Sequence, residues 1–235
     1  TTSSNTSGSI TSTVSVNTTA GFSVVTWTGN GTSGSTIGHG LGVAPKMVIV
    51  KTRSLSGENW NTWHTSLTNT TYRLLLNAID AQSNVVLAWG SGGINPTSTT
   101  FTVGSSTGTN GSGSTYVGYV FAEIDGFSKI GKYTGNGSSD GPFCYTGFLP
   151  KFIMIKRIDS TSNWAMFDTS RSPYNLKSAD LYANLSDAEA ANAINPYILS
   201  NGFKVSTSNA TWNTSGGTWI YAAFASNPFK NSNAF

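Results

Sequence analysis

The feature that most constrains this chain is that it says nearly the same thing twice. Residues 27–34 read WTGNGTSG and residues 133–140 read YTGNGSSD. The echo runs well past those stretches. Gly21-Phe22-Ser23 returns as Gly126-Phe127-Ser128, and Pro45-Lys46-Met47-Val48-Ile49-Val50-Lys51 returns as Pro150-Lys151-Phe152-Ile153-Met154-Ile155-Lys156. Asn59-Trp60 answers Asn163-Trp164, and Phe101-Thr102-Val103 answers Phe203-Lys204-Val205. Thr115-Tyr116-Val117 through Phe121-Ala122 answers Thr218-Trp219-Ile220 through Phe224-Ala225. The spacing between matched positions drifts by only a few residues, so insertions are short and belong in loops. A collinear echo of this extent is a tandem duplication, and any fold must build one unit twice. The domain layout follows: an extended arm over 1–20, repeat 1 over 21–125, repeat 2 over 126–230 and a tail over 231–235. The link Glu123-Ile124-Asp125-Gly126 is too short for a flexible tether, which implies rigid coupling of the two domains.

Each copy reads as β. Charged residues are only 10% of the chain, against about 25% in ordinary soluble domains. Ser, Thr, Asn and Gly fill the difference, while aromatics reach 12%. Aromatics at that level exclude the disorder signature, and with β-branched residues and polar turns they describe an all-β protein. Strands 46–51 and 151–156 are apolar on both faces, so one face packs in a core and the other against a loop, the sister repeat or a neighbouring subunit. Pro45 and Pro150 precede them, where a missing donor costs no ladder bond. Asn30-Gly31 and Asn136-Gly137 predict type I′ hairpin turns. Ile10, Val14 and Val16 share a parity and predict an edge strand within the arm. Ser186-Asp187-Ala188-Glu189 has capping-box spacing, and Asn195-Pro196 closes the segment, which predicts a short helix. Its counterpart over 77–82 predicts one turn at most. The expected fold is all-β: two similar antiparallel β-sandwiches of jelly-roll type, with one short helix in the second.

Several function classes drop out. The net charge is +3, but the basic residues are scattered, so no stripe exists for nucleic acid. No apolar run approaches the roughly 18 residues of a membrane helix. Cys144 is the sole cysteine, which rules out an intrachain disulfide and suits assembly in a reducing cytoplasm. The chain opens on Thr, the expectation for a processed product or part of something longer. The Asn-x-Ser/Thr triplets at Asn5, Asn17, Asn30, Asn136 and Asn184 arise by chance in so Asn/Ser/Thr-rich a chain.

Duplication also supplies a test for chemistry, because a site used once belongs where the copies differ. His39 corresponds to Thr146 and His64 to Asp168, so the scaffold requires neither imidazole, and neither has a carboxylate at metal-ligand spacing. No nucleophile elbow or calcium loop is present. GNGTSG and GSGGINP lack the Lys and helix of a phosphate cradle. The reading is therefore of a non-enzyme, with no catalytic set, cofactor or metal. Trp60 and Trp164, Trp27 and Tyr133, and Tyr116 and Trp219 recur, which points to packing. Trp89 and Trp212 do not recur. They sit in Asn/Ser/Thr-rich loops, where an indole can stack on a sugar ring beside amide and hydroxyl partners. Trp89, Trp212 and Asn213 are the candidate glycan-binding residues; the alternative is that each Trp anchors its loop.

Several longer stretches carry a family likeness. GFSVVTWTGNGTSGSTIGHGLGVAPKMVIVK, NWNTWH, YTGNGSSDGPFCYTGFLPKFIMIKR, SRSPYN, NLSDAEA, ILSNGFK and IYAAFASNPFK resemble a duplicated β-module of virion proteins of tailed bacteriophages, marine ones especially. The likeness covers about residues 10–230. It implies a tail-fibre, head-fibre or decoration subunit on the virion surface that joins other virion subunits. A homo-oligomer is implied, trimeric in a fibre, with a host-surface glycan as its contact. It brings no site residues with it. Two rivals remain: a free lectin-like module, and a depolymerase, which needs two carboxylates facing one cleft.

Overall fold

The computed structural model describes residues 1–175, 179–191 and 196–226. They form two compact units. Unit 1 comprises Thr1–Leu76 and Gln82–Glu123; unit 2 comprises Asn77–Ala81 and the chain from Ile124 onward.

Unit 1 contains β1 (Ser3–Asn5), β2 (Ser12–Asn17), β3 (Phe22–Thr28), β4 (Ser35–Gly38), β5 (Met47–Thr52), β6 (Asn61–His64), β7 (Tyr72–Leu75), β8 (Ser83–Asn84), the single-turn α1 (Val86–Trp89), β9 (Thr100–Val103) and β10 (Thr115–Phe121). One large sheet runs β1-β2-β3-β10-β5-β6-β7-β8, and β4 and β9 form a small one. Unit 2 contains β11 (Ser128–Thr134), β12 (Phe143–Tyr145), β13 (Phe152–Arg157), β14 (Ala165–Asp168), β15 (Ala179–Tyr182), β16 (Ala190–Ala191), β17 (Tyr197–Leu199), β18 (Gly202–Lys204), the single-turn α2 (Ala210–Asn213) and β19 (Thr218–Phe224). Its large sheet is β11-β19-β13-β14-β15-β16 and its small sheet β12-β18-β17. All pairings between these strands are antiparallel. The protein is all-β and sandwich-like.

The chain takes the same path in both units. It starts in the large sheet (β3 or β11), crosses to the small one (β4 or β12), and returns for a meander (β5–β8 or β13–β16). It visits the small sheet again and ends on a strand inserted between the first and third, β10 between β3 and β5, β19 between β11 and β13. Register agrees as well: Trp27 stands opposite Tyr116, and Tyr133 opposite Trp219. Trp60 and Trp164 hold matching places, their carbonyls accepting from Leu76 N–H at 3.0 Å and Ala183 N–H at 2.9 Å.

Alternation along β3 and β10 leaves every second residue buried, as a half-exposed strand demands. Met47, Val48, Ile49 and Val50 are buried on both faces of β5. Pairing begins on the residue after each proline: Lys46 N–H donates to Phe121 O and Lys151 N–H to Phe224 O, each at 2.7 Å. In unit 2 the core joins Cys144, Ile198 and Phe203 of the small sheet to Ile153, Ile155, Phe167, Trp219 and Tyr221 of the large one. Free Cys144 is buried there, and desolvation pushes its thiol up to about 12.

Two expectations are corrected. The Asn-Gly pairs do not make type I′ hairpins. Gly31 and Gly137 have φ of 72° and 70°, but neither asparagine has positive φ, and β3 pairs with β2 and β10 and not with β4. The helix expected over 186–195 does not form in its described part. Residues 185–189 are irregular and Ala190–Ala191 is a strand paired with Ala179–Asp180. Sheet pairing and the Arg171 Nη1–Glu189 Oε2 contact at 2.9 Å outweigh the propensity of a segment too short to nucleate alone; residues 192–195 lie outside the described residues. The short helix of unit 2 is α2, and 77–82 forms no helix. Residues 1–20 hold β1 and β2, the edge of the large sheet, with Ile10 and Val14 buried but Val16 exposed. The expected tail at 231–235 lies outside the described residues.

Candidate functional site

The duplicated TGNG stretch is a clamp. After β11 the chain must leave the large sheet for the small one, and Asn213 receives it. Asn213 Nδ2 donates to Asn136 Oδ1 (2.9 Å), Ser138 O (2.7 Å) and Thr207 O (2.7 Å), while its Oδ1 accepts from Asn136 N–H at 2.8 Å. Asn110 repeats the pattern in unit 1. Its Nδ2 donates to Asn30 Oδ1, Thr32 O and Gly104 O at 3.0, 3.0 and 2.9 Å, and its Oδ1 accepts from Asn30 N–H at 3.1 Å. Gly29 and Gly135 are required because a Cβ on either would lie 2.4 or 2.3 Å from a carbonyl oxygen of the facing loop. Asn213 is fully buried with its amide satisfied. Its role is structural, which corrects the expectation of a sugar contact.

Trp89 is corrected too. It is 0% exposed, so no ring face is open to stack. Its turn anchors a loop: Gly104 N–H donates to Ala88 O, and Ser105 and Ser106 N–H both donate to Leu87 O.

Trp212 alone of the three reaches a cavity. It is 8% exposed, its ring packed edge-on against Phe167 with centroids 5.6 Å apart. Together with Arg157, Thr161, Ser162, Asn163, Tyr182, Ala210 and Thr211 it lines a cleft of about 300 Å³ in unit 2. α2 presents Thr211 and Trp212 because Asn209 caps it, its Oδ1 accepting from Thr211 N–H at 2.8 Å. Trp219 Nε1 holds the same turn through Thr211 O at 3.1 Å. Asn163 is oriented by Asn184 Nδ2, which donates to Asn163 Oδ1 at 2.8 Å. Arg157 lies over the Trp219 ring, 5.1 Å from its centroid, and grips Asp159 with Nε and Nη2 at 2.9 and 3.1 Å. That grip raises the guanidinium further and holds Asp159 below the usual carboxylate range. Tyr182 Oη donates to Asp180 Oδ2 at 2.8 Å; burial first, and then that bond, push the phenol up to about 12. The lining is therefore hydroxyl- and amide-rich, with its guanidinium already neutralised.

Repeat 1 carries different residues at the matching positions. By register Asn61 stands where unit 2 has Ala165, and Arg73 where it has Asp180. Arg73 Nη1 donates to Asn61 Oδ1 at 2.5 Å and Asn61 Nδ2 to Gly108 O at 3.2 Å. Sequence reasoning found Trp212 but missed Arg157, Tyr182 and Thr211. Strand register sets Arg157 against Thr52 and Tyr182 against Leu75, so these two are positions where the copies diverge.

The histidines are backbone caps. Leu41 N–H donates to His39 Nδ1 and Phe148 N–H to Thr146 Oγ1; Ser66 N–H donates to His64 Nδ1 and Ser170 N–H to Asp168 Oδ1. Each histidine thus performs the task of its counterpart, bonding the amide two residues on. Burial lowers the His39 pKa, partly offset by its bond to Thr97 O. Among the described residues no three His, Cys, Asp or Glu side chains are grouped to hold a metal, and no helix is long and apolar enough to cross a membrane.

Residues 1–228 match the profile of a protein family described as a domain of unknown function (DUF7483). No curated protein and no solved structure matches the chain.

Proposed function

The chain belongs to that family, and on this premise we propose that it is a structural and adhesion protein of a bacteriophage particle. It is displayed on the virion as a tail-fibre, head-fibre or decoration subunit, joined to copies of itself and to other virion subunits. The Trp212 cleft holds an uncharged sugar of the host surface. Support for the particle comes from the collinear stretches quoted above. Support for the sugar comes from one observation: a cleft in unit 2 gathers hydroxyls, an amide and an indole, and two of its lining residues, Arg157 and Tyr182, stand where the copies have diverged, at Thr52 and Leu75. Thr161, Ser162, Thr211 and Asn163 offer hydroxyls and an amide to a polyol, beside the edges of Trp212 and Tyr182. Arg157 is committed to Asp159, so a carboxylated sugar gains little there.

Saturation-transfer NMR against neutral and acidic oligosaccharides tests the site. The expected result is contact with a neutral sugar that Thr211→Trp abolishes by filling the cleft, near-UV circular dichroism being unchanged. Binding that survives Thr211→Trp, or that needs an acidic sugar, overturns the assignment. Mass spectrometry of purified virions separates the particle role from that of a free lectin-like module, because only the former gives stoichiometric copies.

A further inference from the structure

We propose that β12 is the edge through which two copies of this chain pair, strand against antiparallel strand, about a twofold axis at Cys144. Away from the sugar cleft, the small sheet of unit 2 has the order β12-β18-β17, which leaves two edges. The β17 edge is capped: Asn175 Nδ2 donates to Ile198 O at 2.9 Å, and Ile198 N–H donates to Asn175 Oδ1 at 3.0 Å. One side-chain amide thus supplies the donor and acceptor of a missing strand.

The β12 edge has no such cap. Val205 N–H donates to Pro142 O and Thr146 N–H to Asn201 O, so with Cys144 opposite Phe203 the alternation of the ladder turns Cys144 toward β18. The N–H and C=O groups of Phe143 and Tyr145 then point outward, and among the described residues nothing bonds them.

Repeat 1 shows what such an edge takes. Register sets Thr36 where unit 2 has Phe143, and Gly38 where it has Tyr145. There the arm fills the edge: Ile10 N–H donates to Thr36 O (3.1 Å), Thr36 N–H to Ser9 Oγ (2.8 Å) and Ser12 Oγ to Gly38 O (2.7 Å). The arm itself does not suit β12, because a Cβ on Gly38 would lie 2.0 Å from Asn5 Oδ1, and Tyr145 brings far more than a Cβ. Repeat 2 replaces a small, covered edge by an aromatic, open one. Phe143 and Tyr145 are 46% and 63% exposed.

A second β12 complements it. With Cys144 opposite Cys144 of the second copy, each Phe143 faces a Tyr145, and both residues have outward donors and acceptors. Four ladder hydrogen bonds form, and two Phe–Tyr pairs lie side by side on the outer face. The two small sheets become one six-stranded sheet. The contact is isologous and closes after two copies, where a fibre implies a threefold assembly.

Sedimentation equilibrium of the full chain, with hydrogen exchange at amides 143 and 145, tests this. Wild type is expected to dimerise, and both amides to be protected more as concentration rises. Phe143→Lys and Tyr145→Lys, each on an exposed side chain, are expected to weaken the dimer by roughly tenfold or more with unchanged near-UV circular dichroism. Three results overturn the proposal: a monomer at every concentration, a dimer indifferent to both lysines, or protection of these amides by a peptide of residues 5–12 without self-association.

Discussion

At one cross-strand position the two repeats have exchanged bulk. Across β3 and β10 Val25 faces Gly118; across β11 and β19 Gly131 faces Tyr221. Gly118 leaves room for Trp27, whose ring a Cβ there would meet at 3.1 Å, and Gly131 leaves room for the Tyr221 hydroxyl, which a Cβ would meet at 2.7 Å. Each repeat keeps one glycine and one large partner, on opposite strands. The neighbouring pair is exchanged too: Trp27 stacks on Tyr116 with centroids 5.4 Å apart, and Tyr133 on Trp219 at 5.2 Å. The asparagine clamp has not varied in either copy. A packed core asks for the right summed volume and tolerates its redistribution, whereas a fully satisfied buried amide has no equivalent of different chemistry.

The sharpest way to break this comparison is at the clamp. Asn110→Ala and Asn213→Ala each strip several buried backbone groups of a partner, at about 1–3 kcal/mol per group, so each is expected to cost about 3–5 kcal/mol by urea denaturation. A large loss in one repeat and little in the other would show that the two asparagines are not equivalent. Next comes the exchanged pair. Gly131→Val writes the residue of repeat 1 into repeat 2 against a full-sized Tyr221, an overpacking worth about 1–3 kcal/mol. Tyr221→Gly loses core contacts by itself, including the edge-on ring of Phe203 at 5.0 Å. The double variant is expected to be less destabilised than the sum of the two, and strict additivity in the double-mutant cycle would refute the exchange.

A subtler difference separates the lysines. Lys51 Nζ donates to Glu58 O at 2.5 Å and is half-buried. Lys156 Nζ, fully buried, donates to Ser162 O at 2.7 Å and Ile79 O at 3.0 Å. Desolvation lowers Lys156 to about 8, with Asp80 opposing. Between pH 8 and about 10.5 the unfolded chain holds a proton that the folded one has released, so this group makes stability rise with pH across that window. The rise is expected to reach at most roughly 3 kcal/mol. It should vanish in Lys156→Met, when urea midpoints are compared at both ends of the window.

How far the fold can be read from the residues depends on whether a signal is local or paired. The duplication, the β class, the buried strand after each proline and the packing role of Trp27, Tyr116, Tyr133 and Trp219 all lie in the chain itself. The Asn-Gly turns were misread because local propensity describes a hairpin, while the partner that decides the matter, Asn110 or Asn213, lies about eighty residues away. Ser186-Asp187-Ala188-Glu189 failed as a helix start for the same reason, its following residues being taken up by β15. Of the site, only Trp212 was legible. Polar surroundings made Trp89 and Asn213 look exposed, although both are fully buried. Arg157 and Tyr182 become visible only through register, which no window of sequence contains.

Unit 2 is not a continuous stretch of chain, because Asn77–Ala81 belongs to it. Ile79 O accepts from both the Lys156 ammonium and the Ser162 amide. A gene fragment beginning at the repeat boundary therefore encodes an incomplete body, one whose interior ammonium has been robbed of an acceptor. Shuffling these halves between relatives as interchangeable cassettes would carry the same defect, and the viable cut must leave those five residues with the half that uses them.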